Sequence, residues 1–174
     1  IRGVTYQIIA DAQYTAILSQ IANPEVNADV VKLEKAPKIA VYSPKTKQPW
    51  DDAVTMVLTY AEIPYDIIYD DEIMSMKLPT YDWLHLHHED FTGQQGKFFA
   101  QYAQAEWYQA EKAENEAMAK KWGLKKVSQL KLEVAKRIKE FVSGGGFLFA
   151  MCSATDSYDI SLEAENTDIC SEMF

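Results

Sequence analysis

The chain has 174 residues, enough for one domain and marginal for two, and 48% of them are hydrophobic, so a sizeable core is expected. A net charge of −9 argues against nucleic-acid binding and against docking on an anionic membrane. No apolar run approaches the roughly 20 residues of a membrane-spanning helix, and two cysteines in a chain this long do not make a disulfide framework.

The opening stretch Val4-Thr5-Tyr6-Gln7-Ile8-Ile9 is rich in β-branched and aromatic residues and predicts a strand. Asp11 is expected to cap a helix carrying Ala12, Ala16, Ile17 and Ile21, which Asn23-Pro24 ends. A further short strand is expected over Asp29 to Leu33, and Glu34-Lys35-Ala36-Pro37 reads as a connector. Residues 1–37 therefore read as a strand–helix segment, of the same or a preceding unit, ahead of a main domain over 38–174 that is expected to be cut short at its C-terminus.

In that domain Lys38 to Ser43 is a short apolar strand, followed by the loop Pro44 to Trp50. Asp51-Asp52 start a helix through Val54, Val57, Leu58 and Ala61, which Pro64 stops before a strand over Tyr65 to Tyr69. Asp70-Asp71-Glu72 open a short helix, and Tyr81 to His87 is a third strand. A polar loop, Glu89 to Lys97, leads into one long helix from Phe98 to about Trp122, poor in large apolar residues and read as a partly exposed excursion. Gly123 breaks it, and a helix from Ser128 through Leu132, Ala135, Ile138 and Val142 ends at Gly144-Gly145-Gly146. The strand Phe147 to Met151 and a helix from Thr155 to Glu165 complete the order. Short strands separated by helices need crossover connections. The fold class is therefore α/β, a doubly wound, mostly parallel sheet of flavodoxin or Rossmann type with helices on both faces. The chain opens at Ile1 without Met and closes at Phe174 without a polar tail, so both ends read as cuts within a longer protein. A cytoplasmic protein and an exported one that has lost its signal both fit.

The sharpest local signal is Ala150-Met151-Cys152-Ser153-Ala154, a cysteine between small neighbours where an apolar strand meets a helix start. A turn this tight needs Ala150 and Ala154 because its backbone passes close to adjacent strands. It lifts the Cys152 sulfur above the carboxyl edge of the sheet, where the helix N-terminus favours thiolate and the Ser153 amide can hold an oxyanion. The plainer alternative is a buried cysteine at a strand end. The second signal is His85-Leu86-His87-His88-Glu89-Asp90, which holds all three histidines. His85 and His87 share one strand face and can pack under helices through ring hydrogen bonds, whereas His88, Glu89 and Asp90 reach the edge where such sheets place ligands. Adjacent residues on a strand point apart, so the run reads as the lining of a small-molecule pocket, and neither a metal nor another cofactor is expected. Thr155 to Asp159 is expected to cap the last helix, with Asp156 presented to the cleft. The loop Pro44 to Trp50 has two lysines and no glycine, so it is no phosphate loop, and Gly93-Gln94-Gln95-Gly96 is too short to be a nucleotide signature.

The helix, triple glycine and strand from Phe141 to Cys152 resemble the class I glutamine amidotransferase-like superfamily, and Tyr81 to Asp90 with the triple glycine looks like its trehalose-utilisation (ThuA-like) branch. From Ala36 to Phe174 the chain most resembles a bacterial family labelled asparagine synthetase B. Lys47-Gln48-Pro49-Trp50-Asp51-Asp52-Ala53, His85 to Gly93 and Ala150 to Asp156 carry that likeness. The resemblance implies the amidotransferase-like fold with Cys152 as nucleophile and a downstream histidine, supported by a carboxylate, as base. No histidine follows Cys152 here, and Ala150 and Ala154 stand where that superfamily usually has glycines. The leading expectation is thiol-dependent amide hydrolysis or transfer at Cys152. A non-catalytic domain binding a sugar-like ligand beside His88 and Glu89 is the alternative, and a metal-dependent hydrolase built on the histidine run is a third.

Overall fold

A computed structural model describes residues 5–26, 36–44, 52–88 and 95–170. The chain divides into two units, Ile1–Ala36 and Pro37–Phe174. The described part of the first unit contains one helix, α1 (Asp11–Ala22). Ala10 rather than Asp11 takes the cap position, and its N–H donates to the Gln13 side chain at 3.3 Å. Residues 5–10 do not form the expected strand. Tyr6 and Ile8 stand open to solvent, and β-prone residues without a partner strand gain nothing from extended pairing. The strand expected over Asp29 to Leu33 lies outside the described residues.

The second unit is built on four strands, β1 (Ile39–Tyr42), β2 (Tyr65–Ile68), β3 (Trp83–Leu86) and β4 (Phe147–Phe149). All three pairings are parallel and the order is β2-β1-β3-β4, consistent with a flavodoxin-like sheet. β1 is central and every residue in it is buried, as a near-continuous apolar run in a parallel sheet should be. Ala40 and Tyr42 face one layer with Leu84 and Leu86, whereas Ile39 and Val41 face Val54 and Leu58 of α2 (Ala53–Tyr60) on the other. Helices therefore cover both faces.

The larger layer comprises α3 (Asp70–Met74), α5 (Glu106–Lys121), α6 (Val127–Ser143) and α7 (Ser153–Glu163), with α4 (Gln95–Tyr102) packed on α5. In α6 the buried positions Val127, Leu130, Val134, Ile138 and Phe141 recur at three- and four-residue steps, the stripe a core-facing helix needs. Each of the larger ones contributes roughly 1.5–3 kcal/mol by leaving water, so Ile138→Asp would undo the docking of α6. The single long helix expected from Phe98 is instead two. The break falls at Ala103–Ala105, where the Ala105 N–H turns back to the Tyr102 carbonyl at 2.8 Å. α5 buries Tyr108, Asn115 and Ala119 and leaves most of its other residues exposed, in line with a partly exposed excursion.

Two glycines end α6 for different reasons. Gly145 has φ +98°, and Gly146 lies so close to the Phe141 ring that a Cβ there would enter it. Beyond them β4 forms the sheet edge, with Phe147 59% and Phe149 38% exposed.

Candidate functional site

The β4–α7 turn places a side-chain-bearing residue at positive φ. Cys152 adopts φ 56°, ψ −142°, a region that side-chain-bearing residues avoid. Ala154 is fully buried against the core and Ala150 is partly buried, which is why both positions are small. Cys152 itself is exposed and its thiol is free, as is that of Cys170. The last helix begins at Ser153, two residues earlier than expected, so Cys152 is its cap residue and its carbonyl accepts from the Thr155 N–H at 3.1 Å. Thr155 and Asp156 therefore do not cap it. Asp156 sits exposed in the first turn of α7.

The elbow meets the end of β3 directly. The Ser153 hydroxyl donates to the His88 carbonyl at 3.2 Å. Three residues ahead of Cys152, the Phe149 carbonyl accepts from His85 Nδ1 at 3.1 Å. The other ring nitrogen of His85, Nε2, lies 2.7 Å from Asp52 Oδ2, and both side chains are fully buried. The ring is thus held at both nitrogens, by a carbonyl on one side and a carboxylate on the other.

Asp52 joins three parts of the domain. As the cap of α2 it accepts the Val54 N–H on Oδ1 at 2.7 Å, and its Oδ2 accepts the His88 N–H at 3.2 Å as well as His85. Burial pushes its carboxyl up, but the His85 hydrogen bond and charge, with the two backbone donors, outweigh that and hold it well below the usual carboxylate range. Sequence reasoning placed Asp52 only as a helix starter. The available signal was an aspartate delivered to the carboxyl edge by the connection after β1.

His87 and His88 come together rather than pointing apart. β3 ends at Leu86 and the backbone bends at His88, so the two-residue alternation of a strand no longer governs them. Their ring centroids are 4.5 Å apart. Glu89 and Asp90, expected beside His88, lie outside the described residues.

A second buried cluster occupies the carboxyl ends of β1 and β2. Lys131 of α6 is 2% exposed, and its ammonium donates to Asp70 at 2.6 Å, to the Tyr69 hydroxyl at 3.0 Å and to the Tyr42 hydroxyl at 3.2 Å. Tyr42 in turn donates to Asp70 at 2.5 Å. Burial, then the Asp70 charge, pushes the Tyr42 phenol well up. Tyr69 is raised chiefly by burial, although Lys131 opposes it. For Lys131, burial pulls the ammonium down, but Tyr69 and Asp70 outweigh it and leave it raised. A lysine on the buried stripe of α6 was the sequence signal for this cluster, since a cation there requires a buried partner.

A cleft of about 740 Å³, lined by Val127, Ser157, Ser161 and Asp168 among others, holds neither Cys152 nor His88. Among the described residues, no helix is long and apolar enough to cross a membrane. Comparison with protein families, with curated proteins and with solved structures returned no match.

Proposed function

We propose that this chain carries a class I glutamine amidotransferase-like domain in which Cys152 is the nucleophile of amide hydrolysis or transfer. The observation that carries the reading is the backbone of Cys152, a side-chain-bearing residue at φ 56° between a parallel strand and a helix. Strain of this kind persists where the surrounding fold imposes it, and it clusters at reactive groups. In the proposed step the sulfur attacks the amide carbon and the C=O π pair moves onto oxygen. The C–N bond then breaks, the nitrogen leaves as ammonia after taking a proton from the base's conjugate acid, and water cleaves the thioester. The Ser153 N–H belongs to the first turn of α7, whose N–H groups have no acceptor within the helix, so it is available to the oxyanion.

The base is the part this chain does not supply downstream. All three histidines precede Cys152, and His85 is committed to Asp52 and Phe149. The 174-residue chain is therefore expected to be chemically primed without turning over. Alkylation with a mild thiol reagent, read by mass at each cysteine, tests the first half. Cys152 should react faster than Cys170 at neutral pH, since both are exposed but only Cys152 adjoins a long helix's N-terminus. Preferential labelling of Cys170 would overturn the elbow reading in favour of a ligand-binding turn. A glutaminase assay tests the second half. Ammonia release by the chain alone, abolished by Cys152→Ala, would show that a base is already in place.

A further inference from the structure

In a doubly wound sheet the ligand crevice opens where successive crossovers leave in opposite directions, at the carboxyl ends of the two strands concerned. Here the chain passes from β1 to β2 on one side and then to β3 on the other, so the crevice lies between β1 and β3. Asp52 reaches it from the connection after β1, and His87 and His88 reach it from the end of β3. One ligand-capable atom of each lies within 4.8 Å of those of the other two. Asp52 and His87 are buried, while the His88 side chain is 32% exposed and opens the group to solvent.

A purely structural histidine closes its hydrogen bonds, and His88 does not. Its Nδ1 is shielded from water and has no hydrogen-bond partner, standing 3.8 Å from Asp52 Oδ2, beyond hydrogen-bond range. Two ligands each about 2.1 Å from a tetrahedral ion sit roughly 3.4 Å apart, so a spacing of 3.8 Å needs only a small contraction. Two imidazoles and one carboxylate are the donors preferred by borderline divalent ions, whereas calcium and magnesium sites are built from oxygen. His85 fits the same scheme from outside. Its bond to Asp52 fixes the carboxylate's orientation, as outer partners of metal ligands do.

We propose that Asp52, His87 and His88 bind one divalent transition-metal ion of the zinc class in the β1–β3 crevice, with a coordination position left open on the solvent side at His88. This goes beyond the thiol reading and needs nothing from Cys152.

The experiment titrates the chelator-treated 174-residue chain with Co²⁺, followed by visible absorption and calorimetry, and then displaces it with Zn²⁺. One equivalent should bind, giving visible bands of a low-coordinate nitrogen and oxygen site without a thiolate-to-cobalt charge-transfer band. His88→Ala should weaken binding by at least ~10-fold, the scale reached even by outer partners of metal ligands, with an unchanged urea midpoint in chelator. His88→Gln serves if the alanine variant misfolds. Cys152→Ser should bind as the parent does. Absence of saturable binding, binding unchanged in both His88 variants, or binding lost in Cys152→Ser would each overturn the assignment. None of these readouts depends on thiol reactivity, so this proposal and the nucleophile reading fail separately.

Discussion

Replacing Cys152 with glycine should make the protein more stable. A side-chain-bearing residue held at φ 56°, ψ −142° costs about 1–3 kcal/mol. Glycine removes that cost and forfeits about 0.4–1 kcal/mol through its freer unfolded chain. The balance is a gain of about 1 kcal/mol, or a urea midpoint about 0.5 M higher for an m-value of about 2 kcal/mol/M. Two controls isolate the cause. Cys152→Ala keeps the Cβ and loses only an exposed sulfur, so it should stay within about 0.5 kcal/mol of the parent. Cys152→Ser supplies a favoured helix cap, but ordinary caps work from extended backbone, which this residue does not adopt, so serine should gain nothing. Equilibrium urea unfolding of the four proteins, with m-values compared, is the assay. A glycine variant no more stable than alanine would show that the elbow is unstrained. A serine variant matching glycine would show that capping, not φ, sets the cost.

Lys131→Met should cost about 3–5 kcal/mol in urea unfolding because it leaves Asp70 buried without its cation. Lys131→Met with Asp70→Leu should recover a large part of that loss, and strict additivity would contradict the pairing. Stability should fall at alkaline pH. Tyr42, Tyr69 and Lys131 all hold their protons more tightly folded, so their contribution is complete below their unfolded values, near 10 and 10.5, and is lost as pH rises through the higher folded values. A urea midpoint flat across that range would refute the assignment. Gly146→Ala should cost about 1–3 kcal/mol by overpacking against Phe141; Phe141→Leu in the same chain should return part of it, and no recovery would place the strain elsewhere.

Much of the sheet was legible because its strands carry their own signature. Ile39 to Tyr42 is an apolar run too short for a helix, and Phe147 to Met151 is another, framed by glycines and a cysteine between alanines. The elbow was legible for the same reason, since Ala150 and Ala154 mark a turn with no room. What escaped depended on distant partners. Asp52 as a helix cap looks the same whether or not His85 waits 33 residues on. Lys131 looked like one more α6 lysine until Asp70 and two tyrosines were placed around it. The convergence of His87 and His88 was misjudged because the strand was read one residue too long. The break between α4 and α5 escaped because Ala103 to Ala105 contains neither glycine nor proline.

The three-residue length of β4 and its place at the sheet edge bear on motion as well as architecture. Local opening follows the sparsest packing, and β4 offers two half-open phenylalanines where β1 offers none. Its amides should therefore exchange with solvent through sub-global openings, while those of β1 wait for the whole domain to unfold. The strained turn thus hangs from a short edge strand, and the Ser153–His88 and His85–Phe149 bonds are latches that such an opening must release together with the β3–β4 ladder. A thiol reagent would then report two rates at Cys152, one for the closed elbow and one for the unlatched state, and their ratio would measure how firmly the fold grips the turn.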